Sequence, residues 1–329
     1  FQKLVEEAPA PFLTDKQRND IIEGSRDICQ AANYTGAGTV EFIVAEDGTV
    51  SFLEVNTRVQ VEHPVTEAVT GVDIVGEQFR IAAGLPLSFD EDPASDGHAF
   101  EFRINAEDAA NGFVPSPGAV TQFEIPTGPG IRVDAGVRAG STIPGFYDSL
   151  MAKLIVKGPN REVALRRAQA ALAEMRIQGV RTVLPFHKDI VTHPAFCGDD
   201  LHVYTDWVDK EYEPGIGAGY AGSSPEDVED AYTERTTLTV EIDGRLHRVS
   251  VPSSFGVAAT PSAGADATST SSAAGSNAGA DKSGAGASTA GNAVECPYTG
   301  VLVKWQVADG DSVEVGQPIA TIEAMKMES

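Results

Sequence analysis

Cysteine is scarce: Cys29, Cys197 and Cys296 are the only three in 329 residues, far apart and never in a Cys-x-x-Cys pair. That spacing argues against a disulfide framework or a structural zinc site and suits a reducing cytoplasm. Positive charge is also short. Lys and Arg number 24 against 48 Asp and Glu, a formal charge of -24, so the basic footprint that a nucleic-acid backbone requires is missing. No stretch approaches the roughly 18 consecutive apolar residues of a membrane span. The first residues, Phe1-Gln2-Lys3, carry neither an initiating Met nor a basic-then-apolar leader, and read as a point inside a domain. No long internal repeat is present. What is there, 42% apolar residues at a mean hydropathy of -0.12, fits a soluble globular chain of two or three domains. If its substrates are anions, their site must be locally positive against the overall field. The informative residues are therefore Lys and Arg set among Gly, Asn and carboxylates.

Residues 256–293 are almost entirely Ala, Gly, Ser, Thr, Asn and Asp, a composition from which no core can form. They read as a disordered linker, spanning on the order of 35 Å root-mean-square as a Gly-rich coil. A tether of that reach separates modules that must move relative to each other. Before it lies mixed α/β sequence. Thr14 begins a helix to about Asn33, with Gln17 as capping-box partner and Ile21, Ile22, Ile28, Cys29 and Ala32 as its apolar stripe. Residues 39–55 read as a hairpin turning at Asp47-Gly48. A second helix is expected from Asn160 to Gln178, with Val163, Leu165, Ala168, Leu172 and Met175 inward and Gly179 past its end. Another short hairpin, 237–242 with 247–251, flanks Asp243-Gly244. After the linker, apolar strands at 301–307, 313–315 and 319–322 alternate with Gly300, Gly310 and Gly316, the pattern of a small all-β unit.

The segment from Glu41 to Glu62 carries the chemistry. With Asp47-Gly48 as a two-residue loop, Glu46 pairs with Thr49 and the same register sets Glu41 opposite Glu54. Such opposed residues have Cβ atoms about 4.5–5.5 Å apart, so two carboxylates there repel unless a cation sits between them. Asn56 follows on the same face if the chain stays extended. Two carboxylates and an amide suit Mg²⁺, which takes one or two carboxylates and completes its shell with phosphates and water. The competing reading is a pair of solvated surface glutamates. Beyond Glu54, Asn56, Arg58, Gln60 and Glu62 alternate with Val55, Thr57, Val59 and Val61, a polar face over an apolar one. Arg58 offers a planar fork for a small oxyanion, and Glu62 beside it can accept that anion's proton. His63, before Pro64, reads as structural.

The run from Glu54 through Asn56-Thr-Arg58-Val-Gln60-Val61-Glu62-His63-Pro64 to Glu67 closely resembles the active-site stretch of the biotin carboxylases, an ATP-grasp family. Further motifs resemble it in the same order: Gln2–Pro11, Gly36–Phe42, Phe102–Asp108, Val114–Gly118 and Tyr147–Lys153. The likeness covers roughly residues 1–208. It implies that Glu41, Glu54 and Asn56 hold a Mg²⁺ or Mn²⁺ on ATP, and that Lys3, Arg58, Gln60, Val61 (through its backbone) and Glu62 surround bicarbonate. It further implies that Glu62 deprotonates bicarbonate, steadied by Arg58. Arg103 would stabilise the charge that develops on biotin when its ring nitrogen loses a proton. Phe1 stands where some members have a nucleotide-contacting His, and carries no assigned role.

Near the end, Glu323-Ala-Met-Lys-Met327 resembles the biotinylation motif of biotin carboxyl carrier domains, with Lys326 as the residue that receives biotin. A carrier lysine belongs at an exposed hairpin tip, where Met325 and Met327 supply adaptable apolar contacts. The expected fold is therefore α+β. Residues 1–90 form the C-terminal part of an ATP-grasp domain and 91–212 the biotin carboxylase C-terminal domain. Residues 213–255 form a connecting segment with a short β-hairpin, and 256–293 the disordered linker. Residues 294–329 form the first half of a small barrel-sandwich biotinyl domain. Both ends read as truncated, and the fragment alone is expected to be inactive. The implied activity is ATP- and bicarbonate-dependent carboxylation of biotin on Lys326, as the α subunit of an acetyl- or propionyl-CoA carboxylase. The implied partners are a carboxyltransferase β subunit, a biotin protein ligase and further copies of the carboxylase unit, in the cytoplasm, with no nucleic acid or membrane. Two other readings stand beside it: an inactive biotin-bearing or docking scaffold, and a different ATP-grasp carboxylate–amine ligase.

Overall fold

A computed structural model of the chain describes residues 3–198, 201–212, 235–242, 245–252, 301–314, 317–324 and 327–328. The elements that frame the site come first in the chain. They are β1 (Val5–Ala8), α1 (Asp15–Ala31), the hairpin of β2 (Thr39–Val44) and β3 (Val50–Asn56), α2 (His63–Thr70), α3 (Ile74–Ala82) and β4 (His98–Asn105). Later come the strands Ile131–Ala135 and Leu150–Gly158 and helix α4 (Arg161–Glu174). Four strands form one antiparallel sheet in the order β1, β4, Leu150–Gly158, Ile131–Ala135.

The alternation of β4 decides the layering. Phe100, Phe102 and Ile104 are fully buried with Leu154 and Val156 of the next strand, in one core with Ala164, Ala168 and Leu172 of α4 and with Met175. Burying side chains of this size contributes about 1.5–3 kcal/mol each, which makes this face the anchor of the region. Ala99, Glu101, Arg103 and Asn105 occupy the alternate positions. There α2 supplies the cover: its Val65 and Val69 pack with Ala99. A strand buried on both faces thus carries apolar residues on one side and a polar row on the other.

The polar row has a cost at Glu101. Its side chain is fully buried, and among the described residues neither carboxylate oxygen has a hydrogen-bond partner. The register places it directly opposite Glu6 of β1. Loss of water pushes its pKa to about 8, with the charge of Lys153 pulling the other way. At neutral pH Glu101 is therefore mostly the uncharged acid, the form a site without partners tolerates.

Several sequence expectations need correction. The capping box at Thr14 and Gln17 forms as expected. The stripe of α1, however, finds little core: Ile21, Ile28 and Cys29 are half-buried, Ala32 is exposed and Ile22 is 44% exposed. No residue of α1 is buried among the described residues. Asn160 caps α4 as expected, but the helix stops at Glu174 and Met175 is already extended. Arg176–Gln178 forms a strand paired with Gln122–Glu124. Gly179 follows that strand at φ +95°, where an added Cβ would lie 2.1 Å from the Ala119 carbonyl oxygen, so its role is close backbone approach and not helix capping.

The hairpin Arg235–Ile242 with Arg245–Pro252 pairs in a register leaving two residues between Ile242 and Arg245, as the Asp243-Gly244 signal requires. In the carrier region Val301–Trp305, Ala320–Ala324 and Met327–Glu328 form a three-stranded sheet. Residues 311–314 are not strand, so the expectation at 313–315 fails over its described part. Residues 256–293, Phe1 and Lys326 lie outside the described residues.

Glu101→Gln tests the buried acid. A carboxyl whose folded pKa is raised favours folding fully only below its unfolded pKa of about 4.5, and that stability is lost as pH rises toward 8. The slope through this window is about 1.4 kcal/mol per pH unit. The stability of Glu101→Gln relative to the wild type should therefore increase from pH 5 to pH 8 in denaturant titrations. A pH-independent difference would show that Glu101 is ionised in the fold.

Candidate active site

The β2–β3 hairpin brings the two glutamates together, by a route different from the one the sequence suggested. Ala45 and Thr49 close a three-residue loop of Glu46, Asp47 and Gly48, with Gly48 at φ +85°. This shifts the register by one residue relative to a two-residue loop, so Glu46 does not pair with Thr49. A bulge between Glu41 and Phe42 then shifts it back, and Glu41 lies opposite Glu54.

Asn56 bridges the pair. Its Nδ2 donates to Glu41 Oε1 at 3.0 Å and to Glu54 Oε1 at 2.9 Å, relieving the repulsion of two opposed carboxylates. Glu41 Oε1 also accepts from Gln60 Nε2 at 3.0 Å and Lys3 Nζ at 3.1 Å. These contacts, the Gln60 hydrogen bond foremost, hold the Glu41 carboxyl below its usual range, with help from the charge of Arg58. Two carboxylates and an amide converging on one point fit a hard, oxygen-seeking cation. A half-turn of the Asn56 amide presents its oxygen in place of its nitrogen. Among the described residues no group of three or more His, Cys, Asp or Glu forms a metal cluster, and a Mg²⁺ shared with phosphates needs none.

Past Asn56 the expected extended run ends. Residues 57–62 bend into α2, which Pro64 opens, and the strict polar-over-apolar alternation is lost: Gln60 is buried while Thr57 and Arg58 are exposed. The chain must turn here to carry α2 across the sheet. The polar groups still converge. Glu62 Oε1 accepts from Lys3 Nζ at 3.1 Å and Glu62 Oε2 from Arg103 Nη2 at 3.0 Å. Burial works to lower the Lys3 pKa, but the hydrogen bonds from Lys3 to Glu62 and Glu41 outweigh it and hold the ammonium above its ordinary value. Arg58 stands apart: among the described residues its guanidinium donates only to the neighbouring Val59 carbonyl, at 3.3 Å. Beside the loop an open cleft of about 770 Å³ is lined by residues including Gln60, Glu62, His63 and Ile74. The Gln60 Oε1 is buried and has no hydrogen-bond partner among the described residues.

Two residues of this framework lie inside the family-like motifs Gln2–Pro11 and Tyr147–Lys153 but have no role assigned by the sequence reading. Glu6 on β1 holds Arg103, with Nε at 2.9 Å and Nη2 at 2.7 Å from Glu6 Oε1. Burial raises the Glu6 pKa against the pull of Arg103. Lys153 donates to the Val61 carbonyl oxygen at 3.1 Å. Neither contact follows from local pattern, because each joins segments roughly a hundred residues apart through the sheet. From beneath, buried His187 meets the Arg103 carbonyl at 2.7 Å; burial lowers its pKa to about 4, so it is neutral.

Known proteins resemble the chain over its domains. The profile of the biotin carboxylase C-terminal domain matches residues 101–210, that of the carbamoyl-phosphate synthase L chain ATP-binding domain residues 1–89, and that of biotin-requiring enzymes residues 292–329. By these domains the chain belongs to the biotin-dependent carboxylases. The α3 subunit of a biotin-dependent acyl-coenzyme A carboxylase from Mycobacterium leprae is 48% identical over the whole chain, which covers 54% of that protein. A biotin carboxylase from Haemophilus influenzae is 53% identical over 61% of this chain and 45% of its own length. Among solved structures, the biotin carboxylase domain of a Hydrogenobacter thermophilus 2-oxoglutarate carboxylase, in complex with MgADP and bicarbonate, aligns at a TM-score of 0.61 and 44% identity. The alignment covers 63% of this chain and 46% of that one. The chain thus spans about half the length of the curated relatives it matches. This family consists of ligases that use ATP, a divalent metal and biotin. Among the described residues no helix is long and apolar enough to cross a membrane.

Glu54→Gln should weaken Mn²⁺ binding to the full-length protein in the presence of ADP by about tenfold or more, measured by calorimetric titration. An unchanged affinity would show that Glu41 and Glu54 do not share an ion.

Proposed function

We propose that this chain belongs to the biotin carboxylase and carrier subunit of an acyl-CoA carboxylase, acting on bicarbonate and ATP to carboxylate biotin on Lys326. The observation that carries the reading is the Glu62 carboxylate held between Lys3 and Arg103, with Arg58 exposed on the same loop. In this reading Lys3, Arg58, Gln60 and the Val61 backbone bind bicarbonate, and Glu62 takes its proton. A carboxylate offers about four lone-pair positions, so the two contacts to Glu62 leave room for that proton. A bicarbonate oxygen then attacks the γ-phosphorus of ATP and ADP leaves, giving carboxyphosphate. Glu41, Glu54 and Asn56 hold the divalent metal, which neutralises phosphate charge. Carboxyphosphate would break down to CO₂ and phosphate, the phosphate taking the proton from the ring nitrogen of a biotin attached to Lys326 and the CO₂ bonding to that nitrogen. Arg103, fixed by Glu6, supplies a preorganised positive charge where negative charge develops on that ring.

The M. leprae relative, a subunit of an acyl-coenzyme A carboxylase, aligns with the entire chain, including the carrier region, which favours acetyl- or propionyl-CoA as the substrate. A carboxyltransferase β subunit, a biotin protein ligase and further copies of the carboxylase unit are the partners this reading requires. The cysteine usage is in keeping with a cytoplasmic location.

The division of labour between the two arginines is testable in the full-length enzyme. Arg58→Ala should impair bicarbonate-dependent ATP cleavage and biotin carboxylation together, each by about 10²–10³. Arg103→Ala should impair carboxylation more than ATP cleavage. Equal ratios of ATP cleaved to biotin carboxylated in the two variants would contradict these separate roles.

A further inference from the structure

Lys153 lies on Leu150–Gly158, opposite Arg103 of β4 on one side and Asp134 of Ile131–Ala135 on the other. Its charge is felt by the carboxyls of Glu101 and Asp134, and His63 acts on Asp134 as well. Yet its ammonium donates to a main-chain carbonyl, that of Val61, at 3.1 Å. The preceding carbonyl is also held: Gln60 O meets His63 Nδ1 at 2.7 Å and accepts from the His63 N–H at 3.4 Å. In a trans peptide the C=O and the following N–H point in opposite directions. With the Gln60 carbonyl turned toward His63, the Val61 N–H is aimed away from it. Among the described residues that N–H has no acceptor. Both peptide planes of Val61 are therefore fixed by side chains, and one main-chain donor is left free beside Arg58, Gln60 and Glu62.

We propose that Lys153 is a positioning residue for anion binding: by holding the Val61 carbonyl it fixes the Val61–Glu62 peptide, and together with the Gln60–His63 contact, which sets the Val61 N–H, it holds the loop so that this N–H and Glu62 face a small planar oxyanion gripped by Arg58. This rests on the bicarbonate reading above and adds to it a residue from a different strand. Lys153 does not touch the anion. Its effect passes through the geometry of one loop residue, and displacements of about 1 Å in such groups cost up to about 10² in rate or affinity.

The test is the steady-state kinetics of bicarbonate-dependent ATP cleavage by the full-length enzyme, with Arg58→Ala run in parallel. Lys153→Met keeps the aliphatic stem and removes the donor. It should raise the KM for bicarbonate about tenfold or more, leave the KM for ATP within about twofold, and leave the thermal midpoint unchanged, while Lys153→Arg restores most of the bicarbonate affinity. If Lys153→Met does not fold, Lys153→Gln, whose amide still donates, should raise the bicarbonate KM alone by a smaller factor. If Arg58→Ala raises the bicarbonate KM but neither Lys153→Met nor Lys153→Gln does, the positioning role is overturned and the bicarbonate reading stands. If Arg58→Ala leaves it unchanged too, the bicarbonate reading itself falls. Equal rises in both KM values would reduce Lys153 to a structural residue.

Discussion

The carboxylate of Glu62 is shared between Lys3 and Arg103, at 3.1 Å and 3.0 Å on its two oxygens. That bridge joins three stretches of chain that no local pattern connects: the residues leading into β1, the loop ahead of α2, and β4. Lys3 reaches on to Glu41 in the hairpin, and Arg103 reaches back to Glu6. A pair of alternating charges thereby becomes a network running from the metal-type carboxylates of the hairpin to the sheet. An isolated surface ion pair contributes about 0–1 kcal/mol. This network matters less for stability than for aim, because Arg103 is 15% exposed and Lys3, Glu62 and Arg103 are each held by two charged partners.

The four-stranded sheet makes that aim possible. Its far face is a close-packed core of Phe100, Phe102, Ile104 and α4, which resists displacement. Its near face carries Glu6, Glu101, Arg103 and Lys153 under α2. Packing such charges beneath a helix is costly, and the cost appears at Glu101, a buried carboxyl with no hydrogen-bond partner among the described residues, its pKa pushed up to about 8. A sheet selected for stability alone would carry an apolar residue there. Sites that preorganise charge commonly tolerate such local penalties.

Much of this was legible in the sequence. The capping box of α1, the pairing of Glu41 with Glu54 and the start of α4 at Asn160 all followed from residue type and spacing. The Glu41–Glu54 pairing came out right although the loop was read one residue short, because the bulge beside Glu41 compensates. Bulges leave no dependable mark in a single sequence. The helix of 160–178 was overextended because Arg176, Ile177 and Gln178 fit a helical pattern, while pairing with Gln122–Glu124 won. Glu6 and Lys153 were missed for a different reason. Their partners are set by strand order in a sheet whose neighbours lie far apart in the chain, which hydrophobic periodicity does not report. The family motifs imply one site for Arg58, Glu62 and Arg103, and only three dimensions show what holds Glu62 and Arg103.

The central claim is that Glu62, held by Lys3 and Arg103, is the group that takes the proton from bicarbonate. Glu62→Gln in the full-length enzyme tests it most directly, since the amide keeps the size of the side chain and loses the basicity. Bicarbonate-dependent ATP cleavage should fall by about 10²–10⁴, while nucleotide affinity and thermal midpoint stay near those of the wild type. Retention of most of the activity would contradict the account and leave the carboxylate as a structural bridge between two cations.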